Sequence, residues 1–308
     1  MFKLLIIYIS LLSCSPGEEL YARYGHTAIR LQDTEQHIDA VFNYGVFSFD
    51  TENFYYKFVR GETYYELGIE PMYYFAQVYA LEHRPLYEQR LNLTDEQAMS
   101  MAQALAHNYR PENRKYLYNF VFDNCATRPY NLIKSVLGDS IISSYDEWEG
   151  CTYRDYLQHY TGVGSWEDFA INMIFGRRAD IPMHGEDKLF LPEALMFYLQ
   201  DAHLPDGTPV IAEGTVAPFE IAKVPWYRSW YFGAAMFVIL MLIITLNDRR
   251  RKRWSWWVDV PFILVYLVFF TIAIFLTFFS IHPLVGINWR LFLFPAIHLC
   301  IRLIYILR

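Results

Sequence analysis

The chain has 308 residues, of which 54% are hydrophobic, 19% aromatic and 19% charged, including 25 Tyr and 24 Phe. This composition excludes a disordered chain, because disordered segments are poor in large apolar side chains. Residues 1–226 contain 31 acidic and 17 basic side chains, whereas residues 227–308 contain 2 and 9. The sequence therefore predicts an acidic globular domain over 1–226 and a basic, very apolar domain over 227–308. The acidic excess argues against nucleic-acid binding.

The N-terminal segment has two interpretations. Residues 4–12 form an apolar run, which is typical of a short signal segment over residues 1–13. Residues 8–13 are also typical of a buried strand, with a turn at residues 15–17. We favour the strand, with a short or truncated signal segment before it, and Cys14 is then a residue of the globular domain.

Two β-rich segments come next. Residues 26–31 (HTAIRL) and 40–49 (AVFNYGVFSF) are rich in β-branched and aromatic side chains, and a polar stretch separates them. This pattern predicts a hairpin-like pair of strands. Residues 54–81 are crowded with aromatic side chains. They suit either an aromatic core with its surface or an amphipathic rim in contact with lipid.

A capping box marks the first long helix of the globular domain. Thr94 and Gln97 are spaced so that each side chain can bond the other's backbone N–H, which predicts a helix to about Asn108. Residues 116–122 (YLYNFVF) then predict a short aromatic strand, and a helical run follows it. Cys125 falls between the two, at or just inside the helix N-terminus.

The C-terminal domain contains long apolar stretches. A membrane-spanning helix needs about 20 mostly apolar residues. Three stretches approach this length: residues 230–246, 261–281 and 291–307. Five consecutive basic residues at 249–253 predict a cytoplasmic loop between the first two spans, which places residues 1–226 on the outer face. Arg302 and His298 interrupt the third stretch, so an interfacial or packed helix is its alternative.

The four cysteines do not have the spacing of a metal site, so we predict no bound metal. Cys125 is distinguished by its place at a helix start, where unpaired N–H groups and the helix dipole lower the pKa of a thiol and make the sulfur nucleophilic. Two other interpretations stay open at this point. Cys125 can be a buried structural residue, or one half of a disulfide with Cys14 or Cys151.

A nucleophilic cysteine needs a base, and His26 is the best candidate. It follows Gly25 and opens a strand, from which its side chain can point toward a helix start. The second ring nitrogen of such a base needs a polar partner. Asn43 on the adjacent strand is the first choice for this partner, and His37 is the second. The backbone N–H groups after Cys125 are candidates for an oxyanion hole.

Three further side chains are candidates for binding the phosphate of a lipid head group: Arg30, Arg128 and Tyr44. An arginine can donate paired hydrogen bonds to phosphate oxygens, and a tyrosine hydroxyl can donate one. Each of the three has an alternative as a residue that holds the fold together.

Five segments together resemble a known family. They are residues 11–17 (LLSCSPG), 24–30 (YGHTAIR), 42–45 (FNYG), 92–94 (NLT) and 118–128 (YNFVFDNCATR). These segments are similar to the N-terminal periplasmic domain of the Bacteroides-type lipoprotein N-acyltransferases, a family that also carries C-terminal membrane helices. The GH and DNCATR segments are specific when they occur together.

The order of the candidate residues along the chain also resembles that of the circularly permuted papain-like enzymes, including relatives of lecithin:retinol acyltransferase. The resemblance implies an α+β fold. In this fold a circularly permuted papain-like domain over residues 1–226 precedes a transmembrane region of about three helices. The resemblance also implies Cys125 as the nucleophile, His26 as the base and Asn43 as the third polar residue.

The resemblance further implies a multi-pass protein of the bacterial inner membrane, with its catalytic domain facing the periplasm. The expected reaction moves an acyl chain from a membrane phospholipid, through a Cys125 thioester, to the α-amine of a diacylglyceryl-cysteine at a lipoprotein N-terminus, without a cofactor. The alternatives are a cysteine hydrolase of the same fold, acting on a cell-wall peptide or lipid ester, and a non-enzymatic membrane-anchored binding module. An aromatic, lipid-facing entrance would favour acyl transfer, and a polar open cleft would favour peptide hydrolysis.

Overall fold

The computed structural model describes residues 7–306 and divides the chain into two compact units. The first unit comprises Met1–Cys151 and Pro182–Ile221, and the second comprises Thr152–Ile181 and Ala222–Arg308. The division near residue 222 lies close to the boundary expected at residue 226. The segment Thr152–Ile181 differs from the expectation, because its helices pack within the second unit.

A seven-stranded antiparallel sheet forms the centre of the first unit, in the order β6-β4-β3-β2-β1-β5-β7. The strands are β1 (Ile7–Cys14), β2 (His26–Asp33), β3 (Ile38–Val46), β4 (Tyr64–Pro71), β5 (Leu86–Leu91), β6 (Lys115–Leu117) and β7 (Ile211–Gly214). The strand expected over residues 8–13 is present as β1. The expected hairpin is the antiparallel pair β2 and β3.

The strand expected over residues 116–122 is shorter, because β6 ends at Leu117. Beyond it the chain turns back on itself, since Asn119 and Asp123 form a β-bridge. The Asn119 side-chain oxygen also accepts the backbone N–H groups of Val121 and Phe122. A side chain that bonds its own backbone in this way competes with strand pairing, so the segment becomes a tight turn.

Helices cover both faces of the sheet. Within residues 7–306 the α-helices are α1 (Phe54–Arg60), α2 (Met72–Leu81), α3 (Asp95–Asn108), α4 (Thr127–Leu137), α5 (Tyr153–Thr161), α6 (Trp166–Ile174), α7 (Pro192–Asp201), α8 (Trp230–Arg251), α9 (Trp256–Phe279) and α10 (Leu293–Ile306). The capping box of α3 is confirmed: Gln97 N–H donates to Thr94 Oγ1 at 3.2 Å, and Thr94 N–H donates to Gln97 Oε1 at 2.9 Å.

The core is densest around β1, whose residues 9–14 are all buried. Leu12 and Cys14 face α2 and pack with Phe75 and Tyr79. Successive side chains of a strand point to opposite faces, so Leu11 lies on the face that α3 and α7 cover. Burial of one such leucine is worth about 1.5–3 kcal/mol. The continuous burial of residues 9–14 in β1 is therefore explained by a central strand that is covered on both sides.

The membrane part of the second unit contains two helices that are long and apolar enough to span a bilayer, α8 with 22 residues and α9 with 24. The prediction of about three spans is wrong for the described residues. The third stretch forms α10, which has 14 residues. At 1.5 Å per residue such a helix reaches about 21 Å, less than the roughly 30 Å of a bilayer core. Its Arg302 and His298 are buried among polar partners.

Candidate active site

His26 owes its position to the glycine before it. Gly25 has a φ of +75°, and a Cβ at this position would lie 2.7 Å from the carbonyl oxygen of Cys14. Only a residue without a side chain fits this close approach in this conformation. The chain therefore enters β2 directly beside β1, with His26 opposite Cys14 in the antiparallel register. The imidazole lies half-buried at the first position of the strand.

Asn43 orients the imidazole from the neighbouring strand. Its Oδ1 lies 2.7 Å from His26 Nε2. Because an amide oxygen can only accept, this contact selects the tautomer with a proton on Nε2. Nδ1 is then the nitrogen left for the Cys125 thiol, with which the His26 ring makes a hydrogen bond. The structure thus brings the three residues together, while their catalytic roles stay a prediction.

A β-bulge brings the backbone of β3 up to the cysteine. The pairing of β3 with β4 shifts register between Asn43 and Val46. Within the bulge Gly45 has a φ of +94°, and a Cβ there would lie 3.7 Å from the Cβ of Cys125. Bulges redirect side chains and are frequent at functional sites. Here the bulge immediately follows Asn43. It therefore places the Gly45 backbone beside Cys125 and influences the direction of the Asn43 side-chain amide.

Cys125 lies two residues before the first helical residue of α4, and Ala126 is the N-cap. The cap is formed by Asn124, whose Oδ1 accepts the N–H groups of Ala126 at 2.8 Å and Thr127 at 2.9 Å. Asn124 also donates to the carbonyls of Phe120 and Phe190. The prediction of an oxyanion hole from the N–H groups after Cys125 is therefore wrong for these two groups, because Asn124 already occupies them.

The thiol and the imidazole change each other's pKa. Burial would raise the pKa of Cys125, but the charge and hydrogen bond of His26 and the backbone N–H groups of Thr27 and Cys125 itself lower it below the usual value. Burial would lower the pKa of His26, but Cys125 and the Asn43 hydrogen bond raise it. Each residue stabilises the charged form of the other. The pair is thus inclined to exist as thiolate and imidazolium, the reactive form of a catalytic cysteine.

Cys14 has the opposite environment although it is the strand neighbour of His26. It is 0% exposed, and burial raises the pKa of its thiol to about 12 against the opposing effects of Tyr79 and Arg84. All four cysteines lie within the described residues and are free. The structure therefore contains no disulfide between Cys125 and either Cys14 or Cys151.

The three candidates for head-group binding all have partners within the fold. Arg30 donates to Asp39 and to Glu88, and it lies four residues along β2 from His26, about 13 Å at the rise of a strand. Arg128 donates to Asp123, with its guanidinium 3.5 Å from the centre of the Tyr116 ring.

Tyr44 is buried, and its hydroxyl accepts a hydrogen bond from Asn108 at 3.0 Å. These contacts explain Arg30, Arg128 and Tyr44 as residues of the fold, and their substrate role stays a prediction. His37, the second choice for orienting the base, lies in the turn between β2 and β3, at the opposite end of β2 from His26.

A path of aromatic rings leads away from the cysteine. Tyr118 lines Gly45 beside Cys125, and its ring stacks on that of Tyr65 with centroids 4.1 Å apart. Tyr65 contacts Phe47 at 5.0 Å, and Phe47 contacts the rings of Phe49 and Phe54. Sequence reasoning recognised the aromatic segment but not its connection to Cys125, which depends on the pairing of β4 with β6 and on the bulge in β3.

The outer end of this path is exposed. Phe49, Tyr55 and Phe58 have exposed fractions of 57%, 74% and 47%. Among the residues that the structure describes, no group of three or more His, Cys, Asp or Glu side chains could hold a metal ion.

Family comparison identifies the relationship of the chain. Residues 2–158 match the family model of the Lnb N-terminal periplasmic domain, and residues 230–308 match that of the Lnb transmembrane domain. The chain belongs to the Lnb family. No match was found among curated proteins or among solved structures.

As an Lnb protein, the chain is a membrane protein with a periplasmic domain. His26, Asn43 and Cys125 all lie in the part that matches the Lnb periplasmic domain. Residues 159–229 lie outside both matched ranges.

Proposed function

We propose that this Lnb protein is a lipoprotein N-acyltransferase with Cys125 as its nucleophile, in a papain-like arrangement of cysteine, histidine and asparagine. The observation that carries the proposal is the combination of the Cys125–His26–Asn43 contacts with a series of aromatic ring contacts that begins at Tyr118, beside Gly45, and ends at exposed Phe49. Cysteine and histidine supply the covalent chemistry, and the aromatic path suits an acyl chain.

In the first half-reaction the Cys125 thiolate attacks the ester carbonyl carbon of a phospholipid acyl chain. A C–S bond forms, and the C–O bond to the glycerol breaks. The His26 imidazolium gives its proton to the leaving alkoxide, so a neutral lysophospholipid hydroxyl departs and a thioester remains. The Asn43 contact holds the ring so that it can give and later take this proton.

In the second half-reaction the α-amine of a diacylglyceryl-cysteine attacks the thioester. His26, now neutral, takes a proton from the amine while the C–N bond forms and the C–S bond breaks. Cys125 leaves as a thiolate, which the N–H groups of Thr27 and Cys125 and the restored imidazolium stabilise. The products are the acylated lipoprotein and the resting enzyme, and no cofactor enters the balance.

The aromatic path supports a lipid substrate over a peptide. Phe and Tyr side chains are apolar over most of their surface, and exposed Phe49, Tyr55 and Phe58 are unusual for a surface that meets only water. In the proposed complex the acyl chain lies along this aromatic series, with its carbonyl carbon at Cys125. A cell-wall peptide would need hydrogen-bonding walls instead.

The membrane helices fit the same proposal. Phospholipid donor and lipoprotein acceptor are both anchored in a membrane, so an enzyme with spanning helices meets them at high effective concentration. We place the enzyme in the bacterial inner membrane with more than one span, and its catalytic domain in the periplasm.

The decisive experiment is mass spectrometry of lipoprotein N-terminal peptides from cells that lack the protein. The cells are complemented with wild type, Cys125→Ala, His26→Ala or Cys151→Ala, the last being a half-buried cysteine that serves as a matched control. We expect a third acyl chain on the N-terminal cysteine with wild type and Cys151→Ala only. Equal acylation in all strains would contradict the proposal.

A second measurement separates the transferase from a hydrolase. Purified protein is incubated with a phospholipid in the presence or absence of a diacylglyceryl-cysteine peptide. We expect the Cys125 peptide to gain the mass of one acyl chain without the acceptor, and the acyl amide to form when the acceptor is added. Release of free fatty acid at an unchanged rate with and without the acceptor would instead identify a hydrolase.

A further inference from the structure

The second unit contains a cleft beyond the C-terminal end of α9, with a volume of about 880 Å³. Its walls come from the turn after α6 and from the loop between α9 and α10. The lining residues that matter here are Arg177, Arg178, Asp180, Ile281, Ile287 and Trp289. The cleft therefore combines two cationic side chains with an apolar wall.

The loop that lines the cleft is fixed by a close backbone approach and by hydrogen bonds. Gly176 lies so close to Gly286 that a Cβ on Gly176 would be 2.6 Å from the Gly286 backbone. Gly176 N–H donates to the carbonyl of Leu284 at 2.9 Å. Asn288 Nδ2 donates to the carbonyls of Asn172 at 2.6 Å and Met173 at 3.0 Å. The loop after α9 is thus fixed to the end of α6.

Asp180 is the one acidic residue among these six, and the positive charge of buried Arg154 neutralises it. Arg154 is 4% exposed, and its Nε donates to Asp180 Oδ1 at 2.6 Å. Its Nη2 also donates to the carbonyl of Gly176 at 3.1 Å. Arg290 adds a second positive charge 3.7 Å from the same carboxylate. Asp180 is therefore already paired.

Arg177 and Arg178 differ from Arg154, Arg290 and Arg302 of the same unit, whose guanidinium groups are paired with carboxylates. Both are exposed, and neither has an ion-pair or side-chain hydrogen-bond partner within the described residues 7–306. Two adjacent guanidinium groups on a fixed turn repel each other unless an anion lies between them. Guanidinium groups bind phosphate oxygens through paired, charge-assisted hydrogen bonds.

The cleft lies at the helix ends opposite the basic residues 249–253. Phe169 of α6 contacts both Trp230 at the start of α8 and the cluster that contains Ala273 near the end of α9. These two helix ends therefore meet at the same side, away from the basic turn at residues 249–253. Exposed aromatic residues mark this end as an interface with the bilayer: Trp226, Tyr227, Tyr231 and Trp289.

We propose that this cleft binds a phosphate group carried by a membrane phospholipid, with Arg177 and Arg178 donating to the phosphate oxygens. Ile281, Ile287 and Trp289 contact the glycerol and the first carbons of the acyl chains. The two arginines belong to the segment that neither Lnb family model covers. The site does not depend on acyl transfer.

The test is lipid retention by the full-length protein in detergent, measured by native mass spectrometry in a Cys125→Ala background that cannot turn a lipid over. Phosphatidylglycerol is compared with diacylglycerol, which lacks the phosphate. We expect the protein to retain phosphatidylglycerol, and Arg177→Gln/Arg178→Gln to reduce its retention about 30-fold, at about 1 kcal/mol for each lost arginine–phosphate contact.

The matched control is Arg250→Gln/Arg251→Gln, which removes the same charge from the basic turn. We expect it to reduce retention much less. Equal losses in both double variants, or no loss in Arg177→Gln/Arg178→Gln, would overturn the site. Arg177→Lys/Arg178→Lys should retain an intermediate amount, and an unchanged unfolding temperature shows that each variant is folded.

Added inorganic phosphate distinguishes the two sources of the ligand. If millimolar phosphate leaves phosphatidylglycerol bound, the site is a lipid site; if it displaces the lipid completely, the arginines bind free phosphate and the lipid assignment fails. If the protein does not retain the lipid but lipoprotein acylation is intact, only the proposal of a lipid site in the cleft is refuted. If the protein retains the lipid but wild-type cells show no lipoprotein acylation, the acyltransferase proposal is refuted and the lipid site in the cleft stands.

Discussion

The molecule contains two clusters of buried polar groups that differ in one respect. In the first, Cys125, His26 and Asn43 are half-buried. In the second, Arg302 is 3% exposed, and both of its carboxylate partners are themselves buried. The first cluster is partly exposed, whereas Arg302 of the second makes five donor contacts with acceptors around it.

The contacts of the second cluster show how complete its pairing is. Arg302 donates to Asp259 Oδ1 at 2.7 Å, to Asp248 at 3.0 Å and to the carbonyl of Ser255 at 3.1 Å. His298 and the Trp254 indole N–H also bond Asp259. The cluster connects α8, α9 and α10. Charges that are fully paired hold helices together, whereas a group that must react keeps a free side.

The largest expected effect comes from breaking the second cluster. Arg302→Met leaves two buried carboxylates without their cation, which should destabilise the protein by about 3–5 kcal/mol. Thermal unfolding of the purified protein in detergent measures this loss as a lower unfolding temperature. The triple variant Arg302→Met/Asp248→Asn/Asp259→Asn removes all three charges and should recover most of it. A single variant as stable as wild type would show that the cluster is not structural.

Substitutions in the first cluster should lower the catalytic rate and leave the stability of the protein unchanged. Asn43→Ala removes the acceptor that orients His26, so kcat should fall about 100-fold, at the lower end of what a positioned general base contributes. KM and the unfolding temperature should stay near wild type. Asn92→Ala is the matched control, since this amide bonds the carbonyl of Pro209 outside the site. An unchanged kcat in Asn43→Ala would remove Asn43 from the mechanism.

The pH dependence of alkylation sharpens the contrast between half-buried Cys125 and buried Cys14. Because the pKa of Cys125 is lowered, it should react with iodoacetamide down to a pH below the roughly 8.5 of an ordinary cysteine, and the rate should fall as pH drops through the lowered value. His26→Ala should move this midpoint upward. Cys14, with a pKa of about 12, should stay unmodified near neutral pH.

Peptide mass spectrometry assigns each adduct to its cysteine. A wild-type midpoint at or above the ordinary cysteine value would contradict the thiolate–imidazolium pair. Equal labelling of Cys14 and Cys125 would show that the environment of β1 does not protect the buried thiol.

Local rules were enough to predict much of the fold. The capping box at Thr94 and Gln97 and the hairpin of β2 and β3 depend on residues close in sequence, and both are confirmed. The motif positions of Cys125 and His26 similarly led to residues that the structure places in contact. Patterns of this kind need no knowledge of distant contacts.

Features that depend on distant residues were missed. The ion pairs of Arg30 join it to Asp39 and to Glu88, 58 residues away, and no local pattern indicates the second. The loss of the predicted oxyanion donors follows from Asn124, whose amide is held by Phe190 from another part of the chain. Arg302 of α10 pairs with Asp248 of α8 and Asp259 of α9, and no local pattern indicates these contacts.

The smallest expected effect comes from a substitution at Gly45, which lies beside Cys125 of the first cluster. Gly45 and Gly138 both have a φ of +94°, so an alanine at either position should cost about 1–2 kcal/mol of stability. A Cβ at Gly138 meets nothing within 4 Å, whereas one at Gly45 lies against Cys125. Gly45→Ala should therefore lower kcat in addition to stability, while Gly138→Ala lowers stability alone. Equal kcat values in the two variants would mean that the bulge shapes the strand without setting the position of the sulfur.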